Sequence, residues 1–313
     1  MPMTRAQVLQ IFDRIRVWQQ GDRRAPHKPL LVLLALGRLQ RGEAPIVEFS
    51  QIDAPLKTLI DEFGPSGAGK NRHLPFWHLA SDADGGLWQL AGPANILDRA
   101  RGATPSLAEL RQNHIAAGFA PDVQAALRHE PDLLQEVARR ILDAHFPETL
   151  HSDILATVGL SLADTRHART ENIEYNRRNR NPGFRERVLR AYEYRCCVCG
   201  FDLRLEQQTI GLEAAHIKWF QAGGPDVETN GLALCTLHHK IFDLGAFTIL
   251  PDSYTLVFSQ QEAGGEATKN TLLAQHGNPL IKPQSRDYLP AGDFLAWHGK
   301  EVFKRLQPEL EVR

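Results

Sequence analysis

The sequence predicts an α+β protein in two parts. The first is a mainly helical N-terminal domain with one small hairpin; the second is a C-terminal domain whose strands and helix meet at a Cys/His cluster. Three observations carry this. Apolar residues recur at helical spacing through much of the first 145 positions, as amphipathic helices require. All four cysteines fall between positions 196 and 235, whereas a secreted disulfide scaffold would scatter them. A chain of 313 residues is long enough for two domains that each bury a core.

Taken in order, Val8, Leu9, Phe12, Ile15, Val17 and Trp18 form a helical stripe over residues 4–20. Ala25-Pro26-His27-Lys28-Pro29 interrupts it, since proline resists helix interiors. Residues 30–40 predict a second, largely buried helix with Gly42 just past its end, and residues 49–63 a third. Residues 64–71 are glycine-rich and predict a loop. Residues 76–79 and 87–90 predict a hairpin across Asp82-Ala83-Asp84-Gly85-Gly86. Helix is expected over 105–145, with Leu133, Leu134, Val137, Ile141 and Leu142 as its apolar face. The boundaries are therefore a domain over 1–163, a polar, Arg/Asn-rich linker over 164–183, and a domain over 184–313.

Several function classes fall away. Gly64-x-x-x-x-Gly69-Lys70 imitates a phosphate-binding loop, but Asn71 stands where Ser or Thr should hold magnesium. A helical pattern precedes it instead of a strand, and Pro75 lies where the helix should run, so an NTPase is rejected. The loop then displays Lys70 and Arg72, and contact with DNA is the expected use of it. The start of the chain, Met1-Pro2-Met3-Thr4-Arg5, leads into an amphipathic segment and predicts no signal peptide. The most apolar stretch, 30–36, is too short to span a bilayer. No membrane is expected as a partner, and the cytoplasm is the expected compartment.

A net charge of -1 decides nothing about nucleic acid, because binding depends on where charge sits. Between Arg166 and Arg195 nine arginines, Arg177 and Arg178 among them, face four acids. Alone, such a run reads as a solvated face or a linker. Placed just before the Cys/His cluster it reads better as a phosphate contact.

Cys196-x-x-Cys199 and Cys235-x-x-His238 are two ligand pairs with the close spacing of a tetrahedral zinc site. Three thiolates and one imidazole leave no open position, so this Zn2+ is structural. Cys197 lies between the first pair and is left as a small buried thiol.

His216, Asn230 and His239 remain. In that order they resemble the HNH nuclease motif, a ββα-metal fold that cleaves phosphodiesters. Phe184-Arg185, Leu212-Glu213-Ala214-Ala215-His216-Ile217, Gly223-Gly224, Asn230-Gly231-Leu232 and His238-His239 through Phe242-Asp243 carry the resemblance, over about residues 184–304. It implies a DNA endonuclease in which His216 is the general base, Asn230 pins the loop that orients it, and His239 serves the reacting phosphate. An imidazole near its reference value of roughly 6.5 suits that task. On a helix starting near Cys235, His239 and Asp243 are four apart and share a face, which makes them ligands for a catalytic Mg2+ or Mn2+. Many HNH nucleases place a further ligand just before the general base. Here that position is Ala215, and Glu213, two residues earlier, is the candidate replacement.

In the first half, His27-Lys28-Pro29-Leu30-Leu31 and Leu74-Pro75-Phe76-Trp77-His78-Leu79 resemble the sulfur-binding domain of McrA-like type IV restriction endonucleases, over about residues 5–160. The resemblance implies recognition of DNA in which sulfur replaces a non-bridging phosphate oxygen. Sulfur is larger and more weakly hydrated than oxygen, so a small apolar cup favours it. Carried over, the cup is Leu74, Pro75 and His78, with His27 and Lys28 beside the phosphate. Leu74 and His78 depart from the family's aromatic and small residues, so the cup is shaped differently here. Phe76 and Trp77 are expected in the core. The whole predicts an endonuclease of phosphorothioate-modified double-stranded DNA, compatible with a homodimer. Two other readings stay open: an HNH nuclease directed at methylated cytosine, and a zinc-stapled DNA-binding protein with a degenerate nuclease site, motivated by Ala215. Base readers usually need an aromatic cage or flipping pocket, and none stands out in the first half.

Overall fold

A computed structural model describes residues 3–17, 23, 25–99, 103–163, 183–260 and 264–305. The chain divides into two compact units, Met1–Ala163 and Asp164–Arg313. Apart from Gly183, the expected linker lies outside the described residues, and Arg177 and Arg178 with it.

The N-terminal unit is built around the helix His27–Gln40, whose Leu30 to Leu34 run and Leu36 are buried. The helices Phe49–Phe63, Pro131–His145 and Glu148–Val158 pack on it. Gly37 lets the last of these close in, because a Cβ there would collide with the Val158 carbonyl. The first helix is shorter than the stripe implied. It spans Arg5–Asp13 behind a Thr4 capping box, and Arg14 closes it.

Two expectations are corrected. Residues 76–79 do not form a strand. His73–His78 is a helix continued by a 3-10 stretch, Leu79–Gly85, that leaves helical geometry at Asp82, Ala83 and Asp84. Pro75 sits in the first turn, where helical N–H groups lack intrahelical partners and a proline costs little. The strand Trp88–Ala91 therefore pairs elsewhere. Its partner is Ala116–Phe119, inside the stretch expected to be helix, and that strand is central in the order Val47–Glu48, Ala116–Phe119, Trp88–Ala91. Alanines there favour helix by propensity, but the backbone runs too close to its neighbour for a side chain at position 118. A Cβ on Gly118 would collide with the Pro45 carbonyl. Edge-to-face contacts then run from Phe49 to Phe76 (5.0 Å), Trp88 (6.3 Å), Phe119 (5.6 Å) and Phe12 (5.8 Å), each worth about 1 kcal/mol beyond area burial. Trp88 Nε1 donates to the Phe76 carbonyl, 3.1 Å away. Phe76 is fully buried and Trp77 half-buried.

Asp53 is buried and takes Arg72 Nε at 2.5 Å and the Arg111 guanidinium. Burial alone would raise its carboxyl, yet the bonds from Arg72 and Arg111 outweigh that and hold it below its ordinary range. The pairing therefore stabilises fully above the unfolded value of about 3.9 and is lost as pH falls through the lower folded value. Asp53→Ala leaves Arg72 buried without its carboxylate and should cost roughly 3 kcal/mol. Hydrogen exchange over residues 49–63 reads this; unchanged protection would contradict it.

In the C-terminal unit the strands Leu212–His216 and Gly231–Cys235 pair antiparallel, His216 opposite Gly231 and Leu212 opposite Cys235. The second strand is wholly buried. The helix Phe184–Ala191 lies flush on it, since a Cβ on Gly231 would strike Val188. The helix Thr236–Asp243 follows at once. A second pair, Phe247–Ile249 with Leu256–Phe258, and the helix Gly292–Glu301 complete the core. His298 stacks on Phe242 at 3.7 Å and donates from Nε2 to its carbonyl, bracing the end of Thr236–Asp243.

Candidate functional site

At the start of the C-terminal unit, Gly200 in a left-handed turn (φ +74°) folds Cys196–Cys199 into a knuckle. Cys197 N–H donates to the Ala233 carbonyl and docks the knuckle on the buried strand. Cys235 caps the next helix and His238 lies one turn on. The result gathers Cys196, Cys199, Cys235 and His238 with ligand atoms within 4.8 Å of one another. Among the described residues no second group of His, Cys, Asp and Glu gathers so closely. The donor chemistry suits a soft divalent ion. Hydrogen bonds from Cys199 and Cys235 hold the Cys196 thiol far below its ordinary value. Burial lowers His238, but Cys196 and Cys235 outweigh it and raise the imidazole to about 9. The cluster thus favours positive charge at its centre. Cys197 is fully buried, and burial pushes its thiol up.

At the other end of the strand pair from Cys235, His216 ends its strand with its ring stacked on Phe184 at 4.2 Å. Its Nε2 lies 2.7 Å from Asp226 Oδ1. Asn230 is fully buried and ties the intervening loop shut. Its Oδ1 accepts from Lys218 N (2.8 Å), while Nδ2 donates to the Lys218 and Pro225 carbonyls, both at 3.0 Å. Gly224 permits the turn, since a Cβ there would collide with the Lys218 carbonyl.

His239 is bracketed by two carboxylates. Nδ1 lies 2.6 Å from Glu213 Oε2 and Nε2 lies 3.2 Å from Asp243 Oδ2. Burial lowers the ring, yet Asp243 and Glu213 outweigh it and raise it to about 10. The bond to His239 holds Glu213 below its ordinary range. A pocket that holds an imidazolium this firmly suits a divalent cation on the same electrostatic grounds. One expectation is refined: Glu213, His239 and Asp243 adjoin, but the carboxylates occupy opposite ring nitrogens and do not converge on one point. Ala215 itself is buried in the core.

In the N-terminal unit His27 and Lys28 open the helix His27–Gln40. His27 Nε2 lies 3.2 Å from the Ala68 carbonyl, joining it to the turn Ala68–Asn71 that carries exposed Lys70. Lys28 Nζ contacts both oxygens of buried Asp82, at 2.8 and 2.7 Å. His78 Nε2 lies 2.9 Å from Thr104 Oγ1, and burial, then the Lys28 charge, lowers its imidazole. Leu74 and His78 are half-buried and Pro75 is buried, so Pro75 offers little wall as the unit stands. Arg72 is buried, bonded to Asp53 and to the Gly69 carbonyl, and so braces the turn that carries Lys70.

Sequence reasoning passed over Asp226, Asp82 and the Phe184 stack. Asp226 lies in Gly223-Gly224-Pro225-Asp226, where an acid one loop after the histidine was the available signal. Nothing in the sequence marked Asp82 beyond its place in an acidic turn.

The family described as ScoMcrA-like, DNA sulfur-binding domain, matches residues 5–163, and HNH endonuclease matches residues 196–250. Among solved structures, the sulfur-binding domain of ScoMcrA complexed with phosphorothioated DNA is 22% identical, covering 49% of this chain and 94% of that one, with a TM-score of 0.42. The type IV phosphorothioation-dependent restriction endonuclease ScoMcrA is 22% identical over 51% of this chain and 29% of that one, with a TM-score of 0.41. The sulfur-binding domain of SprMcrA complexed with phosphorothioated DNA is 19% identical over 50% and 95%, with a TM-score of 0.39. A comparison with curated proteins gives no match. No helix among the described residues is long and apolar enough to cross a membrane. The chain belongs to the ScoMcrA-like DNA sulfur-binding domain family and carries an HNH endonuclease domain after it.

Proposed function

We propose that the protein is a modification-dependent restriction endonuclease: the first unit binds phosphorothioate-modified DNA and the second hydrolyses a phosphodiester nearby. The observation that carries this is the union, in one chain, of a sulfur-binding domain over 5–163 and an HNH domain over 196–250. Within the second unit, His216 takes the proton of the attacking water, and Asn230 holds the loop that faces it. His239, with Asp243 and Glu213 on either side, would hold a catalytic Mg2+ or Mn2+, which supplies charge neutralisation at the phosphate and leaving 3′ oxygen. Cys196, Cys199, Cys235 and His238 would hold Zn2+ as a closed structural site. One such site cuts one strand, so a homodimer is our expectation where both strands are cut, and the cytoplasm the place of action.

In the first unit, His27, Lys28 and Lys70 meet the phosphate, and Leu74, Pro75 and His78 line the side that takes sulfur. Pro75 must gain exposure for this, and Lys28 must exchange Asp82 for the phosphate. The test is equilibrium binding by full-length His216→Ala to two oligonucleotides that differ only in one sulfur. We expect at least a tenfold preference for sulfur, about 1.4 kcal/mol. Both affinities should fall steeply with salt as counterions are released, while the preference falls less, because burial of a weakly hydrated atom is not screened. Lys28→Ala should weaken both. Equal binding of the two duplexes would reject the sulfur reading and favour methylated cytosine.

A further inference from the structure

We infer that Asp226 is a positioning residue for hydrolysis: it fixes which nitrogen of His216 carries the hydrogen and so which one receives the proton of water. The inference rests on the nuclease reading above. His216 Nε2 and Asp226 Oδ1 are 2.7 Å apart, with side chains 15% and 11% exposed, so water competes little for the bond. A carboxylate only accepts, which places the hydrogen on Nε2. The neutral ring then has its lone pair on Nδ1.

Four restraints outside the pair hold it in register. Phe184 sets the plane of the imidazole, stacked at an interplanar angle of 16°. Asn230 Nδ2 grips the Pro225 carbonyl at 3.0 Å. Arg187 Nη2 donates to the Asp226 carbonyl at 2.8 Å. The same guanidinium donates from Nε to Glu228 Oε1, also at 2.8 Å. The backbone around Asp226 is therefore fixed by groups other than His216. A carboxylate held 2.7 Å from the proposed base, on a backbone fixed from outside the pair, has the geometry of an orienting group.

The step balances as follows. The water oxygen bonds to phosphorus, its proton passes to His216 Nδ1, the bond from phosphorus to the 3′ oxygen breaks, and solvent water protonates that oxygen. The imidazolium formed on the way is stabilised by Asp226. Asparagine at 226 keeps the shape but can turn its amide N–H toward Nε2, favouring the tautomer that has no lone pair on Nδ1.

The experiment compares full-length wild type, Asp226→Asn and Asp226→Glu. Zinc content and DNA affinity should match in all three. Single-turnover cleavage by Asp226→Asn should fall at least about 100-fold, as orienting carboxylates in other histidine-based sites do. Asp226→Glu should recover part of it. Nitrogen-15 shifts of His216 should report hydrogen on Nε2 in wild type and on Nδ1 in Asp226→Asn. Cleavage by Asp226→Asn within threefold of wild type would overturn the inference, as would a wild-type ring protonated on Nδ1. The ring signal is read without DNA and decides the matter even if the variants fail to fold. Should His216→Ala also cleave normally, the nuclease reading itself fails, a different outcome from an innocuous Asp226→Asn alone.

Discussion

Cys235→Ala should abolish binding of the proposed zinc and unfold the C-terminal unit, the largest effect expected of any single substitution here. Cys235 is at once a proposed ligand, the cap of Thr236–Asp243 and the last residue of the buried strand. A structural zinc contributes on the order of 10 kcal/mol to folding in small metal-stapled domains, as much as the whole stability of an ordinary domain. The strand, the knuckle and the helix that carries His239 and Asp243 all end at this cluster. Elemental analysis should find one zinc per wild-type chain and none in the variant. Circular dichroism should show the variant losing the structure of this unit, and strong chelators should reproduce the loss. A folded, active preparation free of zinc would reject the assignment.

His216→Ala should abolish cleavage while leaving DNA binding and zinc content in place. The imidazole is the proposed base, and general-base catalysis is commonly worth 100- to 10,000-fold. Its bond to Asp226 is one of several contacts that hold the loop. The turn after it is held by Asn230 and Arg187, so the substitution should leave the fold intact. Single-turnover cleavage and a gel-shift titration on the same preparation separate the two quantities. A cleavage rate near that of wild type would contradict the catalytic reading, and a joint loss of binding would point to a structural role for His216.

The two units were unequally legible in the sequence. Ligand pairs at close spacing and a His–Asp pair four apart reflect local geometry, so each half of the Cys/His cluster and the His239–Asp243 neighbourhood follow from chain position alone. Contacts between distant segments do not. Asp226 reaches His216 because Asn230 and Arg187 bend a loop back on itself, and no periodicity encodes that. The strand Ala116–Phe119 was hidden by its own composition, since alanines read as helix until the close approach at Gly118 is known. Pro75 misled in the opposite direction: proline argued against a helix, while the first turn of His73–His78 accommodates it. Arg72 shows the same limit for charge. Its sequence neighbourhood suggested a phosphate contact, but Asp53 lies 19 positions earlier and takes it into the interior.

The central claim, that a sulfur mark licenses cleavage, is tested most directly by one digestion panel. Full-length protein is incubated with plasmid that carries phosphorothioate, methylated cytosine, both marks or neither, each with Mg2+ or Mn2+. The account expects cuts in the two phosphorothioate samples alone, and none with His216→Ala. Equal cutting of all four plasmids, or cutting that follows methylation and ignores sulfur, would contradict it.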